Sequence, residues 1–268
     1  MSMAYDSQPQ TTVTATAAPQ PQPQGPAALA ASLNARLRDA SPQGILKAAL
    51  ELFPGRVALV SSFGAESAVL LHMLSEIDRA APVLFLDTGH LFGQTLDYRK
   101  SLVEKLGLTD VRDLRPAYQD LAVNDPKADL WKTNTDLCCD IRKVRPLDRV
   151  LLPDFDAWIT GRKRFHGGSR LNLPVVEAGA EGKIKFNPLA NWSKAQLDAY
   201  MAEHDLPPHP LVEFGYPSVG CWPCTKPVES GAASDIRAGR WAGSDKTECG
   251  IHTPRAATAA ESEVGGDI

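Results

Sequence analysis

The sequence predicts an α/β fold: a doubly wound, mostly parallel sheet with a cysteine-bearing C-terminal segment over the strand ends. Three observations lead there. Short apolar runs alternate with stretches whose apolar residues recur at helical spacing, polar or glycine turns follow the first runs, and after Pro188 the texture changes to one helix, proline-rich chain and the last cysteines. Strands alternating with helices imply parallel pairing through right-handed crossovers.

In chain order, residues 1–28 form a leader rich in Gln, Pro, Thr and Ala, which buries too little apolar surface to order itself. Ser41 and Pro42 are an N-cap and first-turn pair, opening an amphipathic helix that Pro54-Gly55 closes. Residues 56–60 are too short for a helix and read as a buried strand. Helical spacing returns over 65–77 and 92–106, with strands at 83–86 and 110–114. Later strands are expected at 157–160, 173–176 and 184–186, and a helix at 193–204. Residues 250–268 read as a flexible tail, leaving 29–249 as one domain that includes the cysteine-bearing region.

The formal charge of −4 gives no electrostatic reason to expect nucleic acid as a partner. No apolar run approaches the roughly 20 residues that cross a bilayer, and no secretory signal opens the chain, so a cytoplasmic protein is expected.

Five cysteines fall as the adjacent pair Cys138–Cys139, the C-x-x-C pair Cys221/Cys224 and the lone Cys249. In a reducing compartment that pattern points to four metal ligands plus one reactive thiol rather than to disulfides. Four thiolates suit a Cys₄ iron–sulfur cluster or structural zinc. Adjacent cysteines close poorly around a single ion, which favours the larger cluster and leaves zinc open.

Polar turns follow three of the strands. S-S-F-G-A-E-S (61–67) brings Ser61, Ser62, Phe63 and Gly64 to a helix N-terminus, where backbone N–H groups can face an anion. L-D-T-G-H (86–90) sets Asp87 and Thr88 at the same sheet edge. After the strand at 157–160, residues 159–170 carry Gly161, Arg162, Lys163, Arg164 and Arg170 without an acid, a group suited to bidentate capture of phosphate or sulfate oxygens. D-I-R-A-G-R-W (235–241) adds Arg237 and Arg240, and K-T-E-C-G-I-H (246–252) presents Cys249 in a polar, glycine-flanked context that favours an accessible thiol. Taken singly, each is equally a polar turn, a solvated basic loop or an incidental surface thiol. Consecutive polar turns at one sheet edge favour a shared ligand site.

The serine turn resembles the phosphate loop of the adenine nucleotide alpha hydrolase-like superfamily, whose ATP pyrophosphatases carry S-G-G-x-D-S. Here Phe63 replaces a glycine and Glu66 the aspartate. C-C-x-x-R-K-x-x-P-L (138–147), the later C-x-x-C, R-x-G-R-W and E-C-G-[IL]-H resemble the iron–sulfur adenylyl-sulfate reductases of the phosphoadenylyl-sulfate reductase family, over residues 46–252. Phe165-His166 stands where that family often has Asp-Gln.

The resemblance implies thioredoxin-dependent reduction of adenylyl sulfate to sulfite and AMP, through an S-sulfocysteine on Cys249. It further implies a [4Fe-4S] cluster on Cys138, Cys139, Cys221 and Cys224, with Lys143 between cluster and substrate, and self-association. The nucleotide would lie against Ser61, Ser62, Phe63, Gly64, Asp87, Thr88, Gly161 and Arg162. Lys143, Arg170, Arg237 and Arg240 would neutralise its sulfonate, and His252 would help position the terminal segment. Competing readings are reduction of phosphoadenylyl sulfate, alone or as well, and a zinc-bound nucleotide-binding regulatory module without turnover. A tRNA sulfur-transfer enzyme is disfavoured by the altered serine turn and the lack of a basic face.

Overall fold

A computed structural model of the chain describes residues 25–179, 182–228 and 235–252. Most of the leader and of the terminal tail lies outside these residues. Nine α-helices and six strands are described. The strands are β1 (Val57–Ser61), β2 (Val83–Leu86), β3 (Val111–Leu114), β4 (Ala157–Ile159), β5 (Val176–Ala178) and β6 (Ile184–Phe186). They lie in the order β3-β2-β1-β4-β6-β5, all parallel except the β5–β6 pair. The chain winds outward from β1 to β3 and then returns to the other side of β1 with β4, which puts the topological switch between β1 and β4. That crevice is where doubly wound sheets bind ligands.

The helices are α1 (Pro26–Leu37), α2 (Pro42–Leu52), α3 (Ser67–Ser75), α4 (Gly93–Leu106), α5 (Tyr118–Asn124), α6 (Leu130–Thr133), α7 (Thr135–Cys139), α8 (Arg145–Asp154) and α9 (Lys194–Glu203). Strand periodicity of two divides the core. Val57 and Leu59 of β1 face the larger apolar cluster, built with α1–α4 and α9, whereas Ala58 and Val60 face a smaller one with Leu147 and Leu151 of α8. Ser41 accepts from Gly44 N as the cap of α2, and Ser193 with Gln196 forms the reciprocal capping box of α9.

Three features depart from the sequence reading. Helix α1 begins at Pro26, inside the stretch read as leader, and its Asn34 Oδ1 accepts from Val175 N (2.9 Å) and Val176 N (3.1 Å). The strand expected at 173–176 is displaced to Val176–Ala178, because Pro174 has no N–H and the Val175 N–H is taken by Asn34. The third is an almost continuous helical run from Thr135 to Asp154, interrupted by a π-helical turn at Asp140–Val144. Pro146 contributes no N–H and crowds the preceding carbonyls, which accounts for the wide turn just before it. No helix among the described residues is long and apolar enough to cross a membrane.

Candidate active site at the sheet switch point

A cavity of about 220 Å³ opens at the carboxyl ends of β1 and β4. Ser61, Ser62, Gly64, Thr88, Lys143, Gly161, Arg162, Arg170, Cys221, Arg237, Arg240, Cys249 and His252 all line it, so elements scattered over about 190 residues converge. Phe63 and Asp87 do not. Phe63 holds a left-handed backbone (φ 48°), accepts no solvent and packs edge-on against Phe85, while its N–H donates to Ser61 Oγ (3.1 Å). Asp87 turns away, accepting from Gly89 N and pairing with Arg115 (2.9 Å).

Behind the serine turn lies a chain of polar contacts that the sequence reading missed. Glu66 Oε2 receives Lys163 Nζ (2.8 Å) and His166 Nε2 (3.0 Å), and Arg170 Nη1 donates to His166 Nδ1 (3.1 Å). A guanidinium only donates, so Nδ1 must be the acceptor and the His166 proton sits on Nε2. Burial pushes the His166 pKa down, in keeping with that neutral tautomer. The same loop positions that depart from the family pattern, Glu66 and His166, are thus partners of each other. Only contact in space links residues 100 apart, which single-sequence reasoning cannot see.

The cysteines enter from two directions. Cys138 and Cys139 end α7 and are buried. The Cys221–Cys224 segment is sewn between the L-D-T-G-H turn, through Trp222 N to His90 O (2.8 Å), and the R-x-G-R-W segment, through Trp241 N to Cys224 O (2.9 Å). Thr88 Oγ1 lies 3.3 Å from Cys221 Sγ. No three His, Cys, Asp or Glu side chains among the described residues close around a single metal ion. None of the five cysteines forms a disulfide. Burial, then the neighbouring Cys139, pushes Cys138 up to about 12, and burial pushes Cys139 up to about 11 against the pull of Lys143. Cys221 and Cys224 raise Cys138 as well. Three buried thiols and the half-buried Cys224 are a soft-donor set that could hold a thiophilic metal centre, which would keep the thiolates deprotonated.

Lys143, on the π-helical turn, faces the same thiols. Burial acts to lower its pKa, but Cys221, Cys249 and Cys139 more than offset this and raise it. The terminal segment closes the cavity: Lys246 pairs with Asp136, Glu248 with Arg170 and Arg237, and His252 stacks on Trp158. Cys249 is half-buried on the cavity wall. Ile251 and His252, which the sequence reading assigned to the flexible tail, are packed, Ile251 against the smaller core cluster.

Fold and site together define a doubly wound α/β protein with a cation-lined cavity at its switch point and a thiol presented to it. The model of the phosphoadenosine phosphosulfate reductase domain matches residues 56–227, and the chain belongs to that family. It is 52% identical over 229 residues to an adenosine 5'-phosphosulfate reductase of Mesorhizobium japonicum, covering 85% of this chain and 89% of the relative. It is 42% identical to a phosphoadenosine 5'-phosphosulfate reductase of Gloeobacter violaceus, covering 80% and 89%. A crystal structure of phosphoadenylyl-sulfate reductase from Candida auris, in a phosphate complex, superposes with a TM-score of 0.62 at 31% identity, over 74% of this chain and 96% of that one.

Proposed function

We propose that the protein reduces adenylyl sulfate to sulfite and AMP in sulfate assimilation, with Cys249 as nucleophile. The observation that carries this reading is the position of Cys249, on the wall of a cavity that also exposes Lys143 and Arg240 at the ends of β1 and β4. Relatives that carry the adenosine 5'-phosphosulfate reductase name match over most of the chain, at up to 52% identity.

The Cys249 thiolate attacks the sulfur of the mixed anhydride. A sulfur–sulfur bond forms, the sulfur–oxygen bond to phosphate breaks, and AMP leaves with the electron pair. The product is an S-sulfonated cysteine. A dithiol reductant such as thioredoxin then attacks the Cys249 sulfur, sulfite departs with the bonding pair, and the second thiol closes a disulfide on the reductant, which supplies the two electrons. Two anions must meet in the first step, and the cations around the cavity lower that barrier.

Cys138, Cys139, Cys221 and Cys224 would hold a [4Fe-4S] cluster. Bound there, it would tie the two cysteine segments together and set its charge beside Lys143. Five cysteines without a disulfide suit a reducing, cytoplasmic setting, and self-association is part of the same reading.

Incubation of the intact protein with adenylyl sulfate, without reductant, should add one SO₃ group to the peptide bearing Cys249, and Cys249→Ser should remove that adduct. An unmodified peptide 249 would overturn the proposal. A second reading, use of the 3'-phosphorylated nucleotide, is favoured by the 42% match to a relative of that name; adduct formation with each nucleotide separates the two.

A further inference from the structure

Four arginines and lysines were expected to share the task of meeting the ligand's anionic group, but the structure divides them. Arg170 has its Nε and Nη2 on the two Glu248 carboxylate oxygens (2.6 and 2.9 Å) and its Nη1 on His166 (3.1 Å). Arg237 donates through Nη1 to Glu248 Oε1 (2.9 Å) and through Nη2 to Thr247 O (2.8 Å) and Glu248 Oε2 (3.4 Å). Both guanidinium groups are therefore spent on His166, Thr247 and Glu248. Lys143 donates to no group among the described residues. Arg240 makes one long contact, Nη1 to Val219 O (3.3 Å), lies over the Trp241 ring at 4.6 Å, and keeps its buried Nε unpartnered.

We propose that Glu248 is a positioning residue: bridging Arg170 and Arg237, its carboxylate latches the Cys249 segment onto the cavity and leaves Lys143 and Arg240 to meet the ligand's anionic group. The inference rests on the reaction proposed above. Successive Cα atoms are about 3.8 Å apart, so a side chain fixed by four charge-assisted bonds fixes its neighbour's backbone. For an oxyanion to take Arg170 or Arg237 instead, it would have to strip the carboxylate and leave Glu248 partly buried without a partner, which is costly. Lys143 and Arg240 can be engaged with no such displacement. Burial alone would raise the Glu248 pKa, but the bonds from Arg170 lower it, so the latch is ionised at neutral pH.

The test compares the full-length wild-type, Glu248→Gln and Glu248→Asp proteins. Single-turnover S-sulfonation at saturating adenylyl sulfate is expected to fall on the order of 100-fold in Glu248→Gln, since misplacing a reacting group by about 1 Å has that effect. AMP affinity should stay unchanged, and Glu248→Asp should recover part of the rate. Amide exchange of residues 246–252 should quicken in Glu248→Gln without nucleotide, whatever the reaction. Tighter AMP binding with an unchanged rate would overturn the proposal and make Glu248 a competitor of the ligand. Unchanged rate and exchange would overturn it too. If the wild-type protein forms no adduct, the reaction assignment fails, while the exchange result still decides the latch.

Discussion

The imidazole of His252 lies flat on the indole of Trp158, with ring centroids 5.4 Å apart and planes 12° from parallel. Trp158 stands on the central strand β4, so the segment bearing Cys249 is anchored on both sides, by Glu248 before the thiol and by this stack after it. Burial, reinforced by Arg162, Lys185, Arg170 and Arg237, drives the His252 pKa far down and keeps the ring neutral. Removing the stack forfeits about 1 kcal/mol. His252→Ala should therefore lower Tm by only a few degrees yet slow S-sulfonation by at least tenfold, and His252→Phe should restore much of the rate. A rate in His252→Ala equal to wild type would sink the claim.

Two glycines offer a contrast that separates site from scaffold. The atoms nearest a Cβ on Gly220 would be those of the Arg240 guanidinium, the far end of a side chain, whereas a Cβ on Gly239 would run into the backbone carbonyl of Lys226. Gly220→Ala should leave Tm nearly unchanged while displacing Arg240 and slowing the reaction on the order of 10- to 100-fold. Gly239→Ala should lower Tm by several degrees, because backbone cannot step aside cheaply. Thermal unfolding beside single-turnover rates reads both, and equal Tm losses in the two variants would contradict the assignment.

How much of this was legible follows from where the signal resides. The alternation of apolar runs and helical spacing gave β1, β2, α4 and α9 within a residue or two, since each buries a face whose period is local. The serine turn, Thr88 and the basic loop meet at one cavity because every parallel strand delivers its following loop to one edge. Helix α1 was hidden by a proline-rich neighbourhood, and its worth lies in Asn34 reaching residues 175 and 176. The run from Thr135 to Asp154 was masked by the cysteine motif it carries. Glu66, His166 and Glu248 were invisible as partners, since their meaning is a contact across 78 to 100 residues.

Arg142 sits on the π-helical turn between the cysteine pair and Lys143, and it is almost fully buried with Asp125. It donates to Asp125 Oδ2 through Nε (3.2 Å) and Nη2 (2.5 Å) and to Thr88 O through Nη1 (2.8 Å), which fixes the turn to the end of β2. Breaking one side of a buried pair costs about 3–5 kcal/mol, mostly the stranded charge. Asp125→Ala should accordingly lower Tm by about 10 °C, and the double variant with Arg142→Met should recover part of that loss. A Tm drop of only a degree or two in the single variant would show that the pair holds nothing.

Glu66 ties part of the fold's stability to acid pH. Burial would raise its pKa, but the hydrogen bond from His166 and the charge and bond of Lys163 overcome this and bring it down to about 2. An unfolded glutamate titrates at about 4.3. Because the folded value is the lower one, the unfolded chain binds the extra proton, so stability rises with pH between these values: the contribution is complete above about pH 4.5 and fades as pH falls towards 2. Its size is on the order of 3 kcal/mol, at one pKa unit per 1.36 kcal/mol. Glu66→Gln mimics the protonated acid, so its denaturant stability should lie below wild type at pH 6, and the two curves should converge as the pH approaches 2. Parallel curves across that window would mean that the Lys163–Glu66–His166 contacts do not hold the serine turn in its ionised form.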